Sequence, residues 1–350
     1  AIFAAHGSTS TTLEERRSFA GKAFAVSSQY DGAIQRYFAG QSADLANYTT
    51  LPAHGLRYGE NPHQQGKFYG DLTSLFDKLH GKELSYNNLV DVDACLSLLD
   101  EFKETAFVII KHMNACGVAT GSTVKEAYDK ALSCDPISAF GGVLATNNTV
   151  DKAAAESINP LFCEILIAPD FTQEALEILM TKKNRILLKR NQVEFPKVMF
   201  KTLLNGVLEQ DKDLVMEGVE DFKTVTKRAP TDEQKRALAF ALKICKHTKS
   251  NTIILANDGQ LLASGVGQTS RVDALKQAID KAKEFGFDLN GAVMASDAFF
   301  PFPDCVEIAG NAGIVAVTQP GGSIKDQDSI DYCDANNLAM VMTGIRHFKH

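Results

Sequence analysis

The chain has 350 residues, 45% hydrophobic and 23% charged, the composition of a globular protein with a full core. Its 36 Lys and Arg against 43 Asp and Glu leave a net charge of −7, a poor footing for nonspecific binding to nucleic acid or to an anionic membrane. No apolar run approaches the ~18 residues of a membrane span, and the length suggests two domains at roughly 100–200 residues each.

Residues 1–10 are small and polar. Thr11 to Glu14 and Thr12 to Glu15 both have capping-box spacing. Leu13, Phe19, Ala23, Phe24, Tyr30, Ile34 and Phe38 then recur at roughly helical intervals. One long helix is expected, interrupted near Gly21 or Asp31–Gly32. From about Leu51 the pattern alternates. Apolar runs predict buried strands at Phe107–Ile110, Val143–Thr146, Ile165–Ala168, Thr252–Ala256, Gly291–Ala295, Ile314–Thr318 and Leu338–Met342. Between several of them lie helical patterns: Val124–Ser133, Thr172–Met180, Thr231–Lys246 and Arg271–Phe285. Asn257-Asp258-Gly259 reads as a hairpin turn. The charged, weakly periodic stretch from Arg185 to Lys227 reads as the connection between two α/β units, and no internal repeat shows. The alternation predicts an α/β protein with mixed or mainly parallel sheets.

Seven cysteines are scattered, odd in number and without a C-x-x-C pair. That argues against a disulfide framework and for a reducing, cytoplasmic setting. No charged n-region followed by an apolar stretch opens the chain, so no signal peptide is expected. Alanine at position 1 suits a processed start or a fragment of a longer protein. The eight histidines form no H-E-x-x-H, and no H-x-E accompanies a P-C-x-x-C, so no catalytic metal is expected.

In Phe107-Val-Ile-Ile-Lys-His-Met-Asn-Ala-Cys-Gly117 an apolar strand runs straight into two ionisable residues. Ligands of open α/β sheets meet the carboxyl ends of strands. There Lys111 is a fixed cation and His112 a proton carrier, unless both are simply solvated at a surface strand end. Arg57-Tyr-Gly-Glu-Asn-Pro-His-Gln64 crowds donors for phosphate or carboxylate into a Gly/Pro loop, and is equally an ordinary polar turn. Asp135-Pro-Ile-Ser-Ala-Phe-Gly-Gly142 permits close backbone approach or a plain tight bend. Ser264-Gly-Val-Gly-Gln-Thr-Ser-Arg271 and Pro320-Gly-Gly-Ser-Ile each lead toward a helix start, where N–H groups favour anions, but neither is a Walker loop or a dinucleotide fingerprint. Ser296-Asp-Ala-Phe-Phe-Pro-Phe-Pro-Asp304 either closes a core or offers aromatic faces to a planar heterocycle.

Together these segments closely resemble the AICAR transformylase region of the bifunctional purine-biosynthesis family that joins this activity to IMP cyclohydrolase. The matching stretches are RYGENPHQ at 57–64, LSYNNL at 84–89, IIKHMNACG at 109–117, DPISAFGG at 135–142, KSN at 249–251, GVGQTSR at 265–271, SDAFFPF at 296–302 and TGIRHFKH at 343–350. They fall in family order and cover nearly all of the chain from about Leu51. Before that, only the helical lead-in, Thr12 to Phe38, resembles the junction after the cyclohydrolase domain, so no cyclohydrolase activity is expected from this chain.

The resemblance implies an α/β fold of two cytidine-deaminase-like subdomains with mixed sheets, at residues 49–195 and 196–350, after an N-terminal helical lead-in at 1–48. It implies a homodimer with active sites at the interface, and partners limited to AICAR (aminoimidazole carboxamide ribonucleotide) and folate. The implied reaction moves a formyl group from the co-substrate 10-formyltetrahydrofolate to the 5-amino group of AICAR. His112 is then the acid/base, Lys111 assists, and Asn251 helps hold the amine and His112. Arg57, Tyr58 and Arg346 match phosphate and ribose contacts, Asn88 and Phe299 the heterocycle, and Glu164 an acidic residue on the nucleotide side. Phe140, Gly141, Ser270, Arg271, Pro301, Phe302 and Asp304 match the folate pocket. Thr248, Ser250 and Asp297 are candidates for a structural monovalent cation such as potassium. A nucleotide-binding module without turnover and a metal-dependent hydrolase or deaminase are the alternative classes. Loss of formyl transfer with retained AICAR binding marks the first, and stoichiometric zinc the second.

Overall fold

The computed structural model describes residues 11–39, 48 and 51–350. In chain order the elements are α1 (Leu13–Ala39), β1 (Ala53–Leu56), β2 (Gly66–Tyr69), β3 (Phe76–His80), α2 (Tyr86–Leu99), β4 (Ala106–Lys111), β5 (Asn114–Thr120), α3 (Val124–Cys134), β6 (Val143–Thr146), α4 (Lys152–Ile158), β7 (Ile165–Ala168), α5 (Gln173–Leu179) and β8 (Ile186–Arg190). There follow β9 (Val198–Leu203), β10 (Gly206–Asp211), β11 (Lys223–Thr224), α6 (Asp232–Lys246), β12 (Ile253–Asn257), β13 (Gln260–Gly265), α7 (Arg271–Glu284), β14 (Val293–Ser296), α8 (Asp304–Asn311), β15 (Ala316–Gln319), α9 (Asp326–Ala335) and β16 (Ala339–Met342). Among the described residues no helix is long and apolar enough to cross a membrane.

The chain divides into two compact units. The first gathers the described residues of Ala1–Leu56, Gly66–Leu72 and Val193–Leu214, and the second holds Arg57–Gln65, Thr73–Gln192 and Val215–His350. In the first unit, β1 and β2 form one antiparallel pair and β9 and β10 another. Of the two capping-box spacings, the one realised is Thr12–Glu15: Thr12 N–H donates to Glu15 Oε2 at 2.7 Å and Glu15 N–H to Thr12 Oγ1 at 3.2 Å. The expected interruption is absent, and α1 runs unbroken through Gly21 and Asp31–Gly32. A single glycine costs a helix only about 1 kcal/mol, too little to stop it.

The second unit is built on one sheet of order β11-β16-β15-β14-β12-β13-β5-β4-β6-β7-β8-β3. Its two halves repeat one another. Outward from β5, the pairings β5–β4, β4–β6, β6–β7, β7–β8 and β8–β3 are antiparallel, antiparallel, parallel, parallel and antiparallel. Outward from β13, the series β13–β12, β12–β14, β14–β15, β15–β16 and β16–β11 has the same signs. The halves meet where β13 and β5 pair antiparallel through Gln260 and Ala119. This duplication was not visible as a sequence repeat, because each half needs only apolar side chains on pleated strands, and many residues satisfy that.

Burial explains the apolar runs. Phe107, Ile109, Leu144 and Leu166 pack into one core with Tyr128 and Ile158, while Leu255, Leu262 and Met294 pack into a second with Leu275, Phe300 and Val306. Residues between them on the strands, such as Val108 and Ile254, are equally buried. Strands covered on both faces therefore read as continuous rather than alternating hydrophobic runs. The stretch Arg185–Lys227 is not a plain connection. It contributes β8 and β11 to the sheet and the β9–β10 hairpin to the first unit. Its exposed hairpin, with every residue of β10 exposed, supplied no periodic apolar signal.

The ends of α2 and α6 meet through charge. Glu101 Oε1 receives Lys246 Nζ at 2.7 Å and lies 2.9 Å from His247 Nε2. Burial raises the Glu101 carboxyl pKa, but the bonds from His247 and Lys246 outweigh it and leave the group below its ordinary value. Burial likewise lowers the His247 pKa, against the opposing pull of Glu101. Both groups bind protons more readily in the unfolded chain. The His247 contribution is present above about pH 6.5 and is lost as pH falls below it; the Glu101 contribution is lost lower, as pH falls through its depressed value. Urea unfolding midpoints should therefore fall from pH 7 to pH 4, and Glu101→Gln should flatten the lower part of that profile. A midpoint that rises on acidification would contradict the assignment.

Candidate active site

Strand β4 lies inside the sheet between β5 and β6, buried from Ala106 to Ile110 and emerging at Lys111. Lys111 pairs with Asn114 across a two-residue turn, His112-Met113. Both turn residues have left-handed backbone, φ 50° and 66°. Such a hairpin turn ordinarily carries Asn or Gly. Non-glycine residues held there cost about 1–3 kcal/mol each and persist only where their surroundings over-determine them.

The surroundings do so. Met113 N–H donates to Asp91 Oδ1 at 2.7 Å, from helix α2. Asn114 Nδ2 donates to the His112 carbonyl at 2.9 Å, and Asn114 Oδ1 accepts the Lys249 N–H at 3.2 Å. Lys111 Nζ donates to the Phe140 carbonyl at 2.7 Å. The His112 ring is left exposed on a fixed backbone. A cavity of about 260 Å³ opens beside it, bordered by Lys111, His112, Asn114, Ser138, Gln277 and Lys281. It lies where the two halves of the sheet meet, since Gln277 and Lys281 stand on α7.

Of the other residues singled out in the sequence, Phe140 and Gly141 are brought to Lys111. Gly141 has φ +69°, and a Cβ there would lie 3.1 Å from Lys111 Nζ. The exposed Phe140 ring packs on Phe162, centroids 5.0 Å apart. Asn251 Nδ2 donates to the Gln268 and Thr269 carbonyls at 3.0 and 3.2 Å, tying down the loop before α7. Ser270 caps α7 by accepting Asp273 N–H at 3.1 Å. Arg271 turns inward: its Nη2 lies 3.1 Å from Asp297 Oδ1, and its Nε donates to Ser296 Oγ at 3.2 Å. Asn88 completes the capping box of α2, its Oδ1 accepting Ser85 N–H at 3.1 Å.

Arg57 Nη2 donates to Tyr58 Oη at 2.9 Å. Glu164 pairs with Lys82 at 2.5 Å. The Arg346 guanidinium stacks on Phe348, 4.4 Å from the ring centre. Phe299 and Phe302 are exposed while Phe300 is wholly buried, so one aromatic of the three belongs to the core. Pro301 is exposed, and Asp304 opens α8, its Oδ1 accepting Cys305 N–H at 2.8 Å. Among the described residues no hydrogen bond or ion pair links Arg57, Asn88, Glu164 or Arg346 to the Lys111–His112 turn. Sequence reasoning missed Asp91, Gln277 and Lys281, and took Asp135 only as the first residue of the 135–142 loop. Each is a lone polar residue on or beside a helix, and only the tertiary structure aims it.

A lysine at a strand end and an exposed imidazole on an over-determined turn lie beside a cavity on an α/β scaffold, groups of the kind that acid–base chemistry uses. A family model described as "AICARFT/IMPCHase bienzyme" matches residues 2–281. The chain is 61% identical over 345 residues to the bifunctional purine biosynthesis protein PurH of Bacteroides thetaiotaomicron, covering 99% of this chain and 68% of that protein. Against the proteins of the same description from Caldicellulosiruptor saccharolyticus and Chlorobium phaeobacteroides it is 46% identical over 354 residues and 47% over 355, covering 97% of this chain and 68% of each. The chain belongs to the AICARFT/IMPCHase family of purine-biosynthesis enzymes.

Proposed function

We propose that this chain carries formyl transfer from 10-formyltetrahydrofolate to the 5-amino group of AICAR. The observation that carries the reading is the His112 turn, where a strained backbone is held by four separate contacts and presents an imidazole beside a fixed ammonium. The attacking amine is a weak nucleophile, its lone pair delocalised into the imidazole carboxamide. In the proposed step its nitrogen adds to the formyl carbon and the C–O π pair moves to oxygen. His112 takes the amine proton, and the Lys111 ammonium stabilises the oxyanion. Collapse re-forms the C=O bond and breaks the bond to N10, which leaves with a proton from His112 or Lys111. The backbone carbonyl of Phe140 fixes Lys111, so little reorganisation is needed as charge develops.

The test is conversion of AICAR and 10-formyltetrahydrofolate to formyl-AICAR and tetrahydrofolate by purified protein at several concentrations. Turnover per chain that rises with concentration supports the proposed homodimer with active sites at its interface. Exposed apolar side chains in the first unit, among them Phe24, Tyr30, Tyr37 and Leu208, favour such association. Binding of AICAR without formyl transfer would overturn the reading.

A structural monovalent cation belongs to the same proposal. Asp297 is buried and its Oδ2 has no hydrogen-bond partner, which suits a cation held with the Thr248 and Ser250 oxygens. Replacing potassium by lithium in the buffer is expected to lower the unfolding temperature. An unchanged temperature counts against the cation.

A further inference from the structure

Lys281 is one of two basic residues in the last turn of α7, beside Lys283, and nothing in the sequence marks it. In the fold it reaches from the second half of the sheet into the first. Its Nζ lies 2.5 Å from Oδ2 of Asp135, a residue only 2% exposed. The other carboxylate oxygen, Oδ1, accepts the Ser138 N–H at 2.8 Å, and the Asp135 carbonyl accepts Ala139 N–H at 3.1 Å. Asp135 thus fixes the start of the 135–142 loop. At its far end Gly142 N–H donates to Ala139 O at 3.0 Å and Gly141 N–H to Phe162 O at 2.7 Å. Between these anchors sits the Phe140 carbonyl that receives Lys111 Nζ. Lys111, His112, Ser138 and Lys281 border the same cavity.

We propose that Lys281 is a positioning residue for formyl transfer: through Asp135 it holds the 135–142 loop, and with it the Phe140 carbonyl that aims the Lys111 ammonium. The consequence for turnover rests on the proposed function, whereas the coupling of Lys281 to the loop rests on geometry alone. A buried carboxylate needs its cation. Burial pushes the Asp135 carboxyl pKa up, but the bonds from Lys281 and Ser138 outweigh this and hold it below the ordinary value. Without Lys281 the carboxylate takes up a proton or admits water, and the loop loses its tie to α7.

Lys281→Met keeps the stem and removes the charge. It is expected to lower kcat by about 10²-fold, the scale on which a misplacement of ~1 Å acts. The KM for the folate should rise, because Phe140 moves with the loop, while the KM for AICAR stays unchanged. A merely destabilised protein would lower the active fraction and leave both KM values alone. Lys281→Arg should restore most of the rate. In a Lys111→Met background, Lys281→Met should add less than about threefold, because the two residues act in one chain of contacts. Amide hydrogen exchange at Gly141 and Gly142 should quicken in Lys281→Met and stay unchanged in β14. Unaltered exchange at these glycines, or rate losses that multiply with Lys111→Met, would overturn the proposal. If the wild-type protein shows no formyl transfer, the functional reading falls, and the exchange comparison alone still decides the coupling. Should Lys281→Met fail to fold, Asp135→Asn/Lys281→Met removes both charges and takes the same measurements.

Discussion

Replacing His112 by alanine is expected to lower formyl transfer by ~10²–10⁴-fold, the usual worth of one positioned proton-transfer group. The turn geometry gives a sharper version of this experiment. At φ 50° a residue with a Cβ is strained, and asparagine or glycine tolerates the left-handed region better. His112→Asn and His112→Gly should therefore lose activity as severely as His112→Ala while unfolding at the same or a higher temperature. A destabilised but active His112→Asn would show that the imidazole serves the turn and not the reaction. The two readouts separate because the four contacts that fix the hairpin are made by Lys111, Met113 and Asn114 and by the His112 carbonyl, none by the His112 ring.

Replacing Arg271 by methionine is expected to cost about 3–5 kcal/mol of unfolding free energy, because it takes from the buried Asp297 the guanidinium paired with its Oδ1. The Asp297 side chain is fully buried and that of Arg271 nearly so. The same substitution should also disturb the neighbouring loop, since Ser270 caps the helix that Arg271 begins. Urea unfolding measures the first effect. Arg271→Met/Asp297→Asn should be less destabilised than Arg271→Met alone, because a neutral amide is cheaper to bury than an unpaired carboxylate. Wild-type stability combined with lost folate affinity in Arg271→Met would instead place this guanidinium on the ligand.

His112 and Arg271, grouped by the sequence as one site, have different surroundings in the structure: an exposed imidazole in one case and a guanidinium paired with a buried carboxylate in the other. Lys111 and His112 were legible as a strand end because four apolar residues run straight into two ionisable ones. Arg271 was legible only as part of a motif. Its guanidinium turns to Asp297, 26 residues further on, and Ser270 and Asn88 serve as helix caps. A motif marks where side chains crowd, not which of them face inward. Phe299, Phe300 and Phe302 make the same point, since the middle one alone fills the core.

The sequence by itself determined the α/β class, the strands at Val143–Thr146 and Ile165–Ala168, the helix starts at Val124 and Arg271 and the strand-end Lys–His pair. Each depends on local periodicity, capping or burial, interactions among residues close in the chain. The duplicated sheet, the partnership of Lys281 with Asp135, and the burial of Arg271 against Asp297 were decided only by the tertiary structure. Those contacts join residues 26 to 146 positions apart, and their side chains have no distinctive local pattern. The halves leave only a faint echo, such as Val-Leu-Ala-Thr in β6 against Val-Met-Ala-Ser in β14. Packing asks for volume and apolarity rather than identity, so a repeated topology survives when the repeated sequence does not.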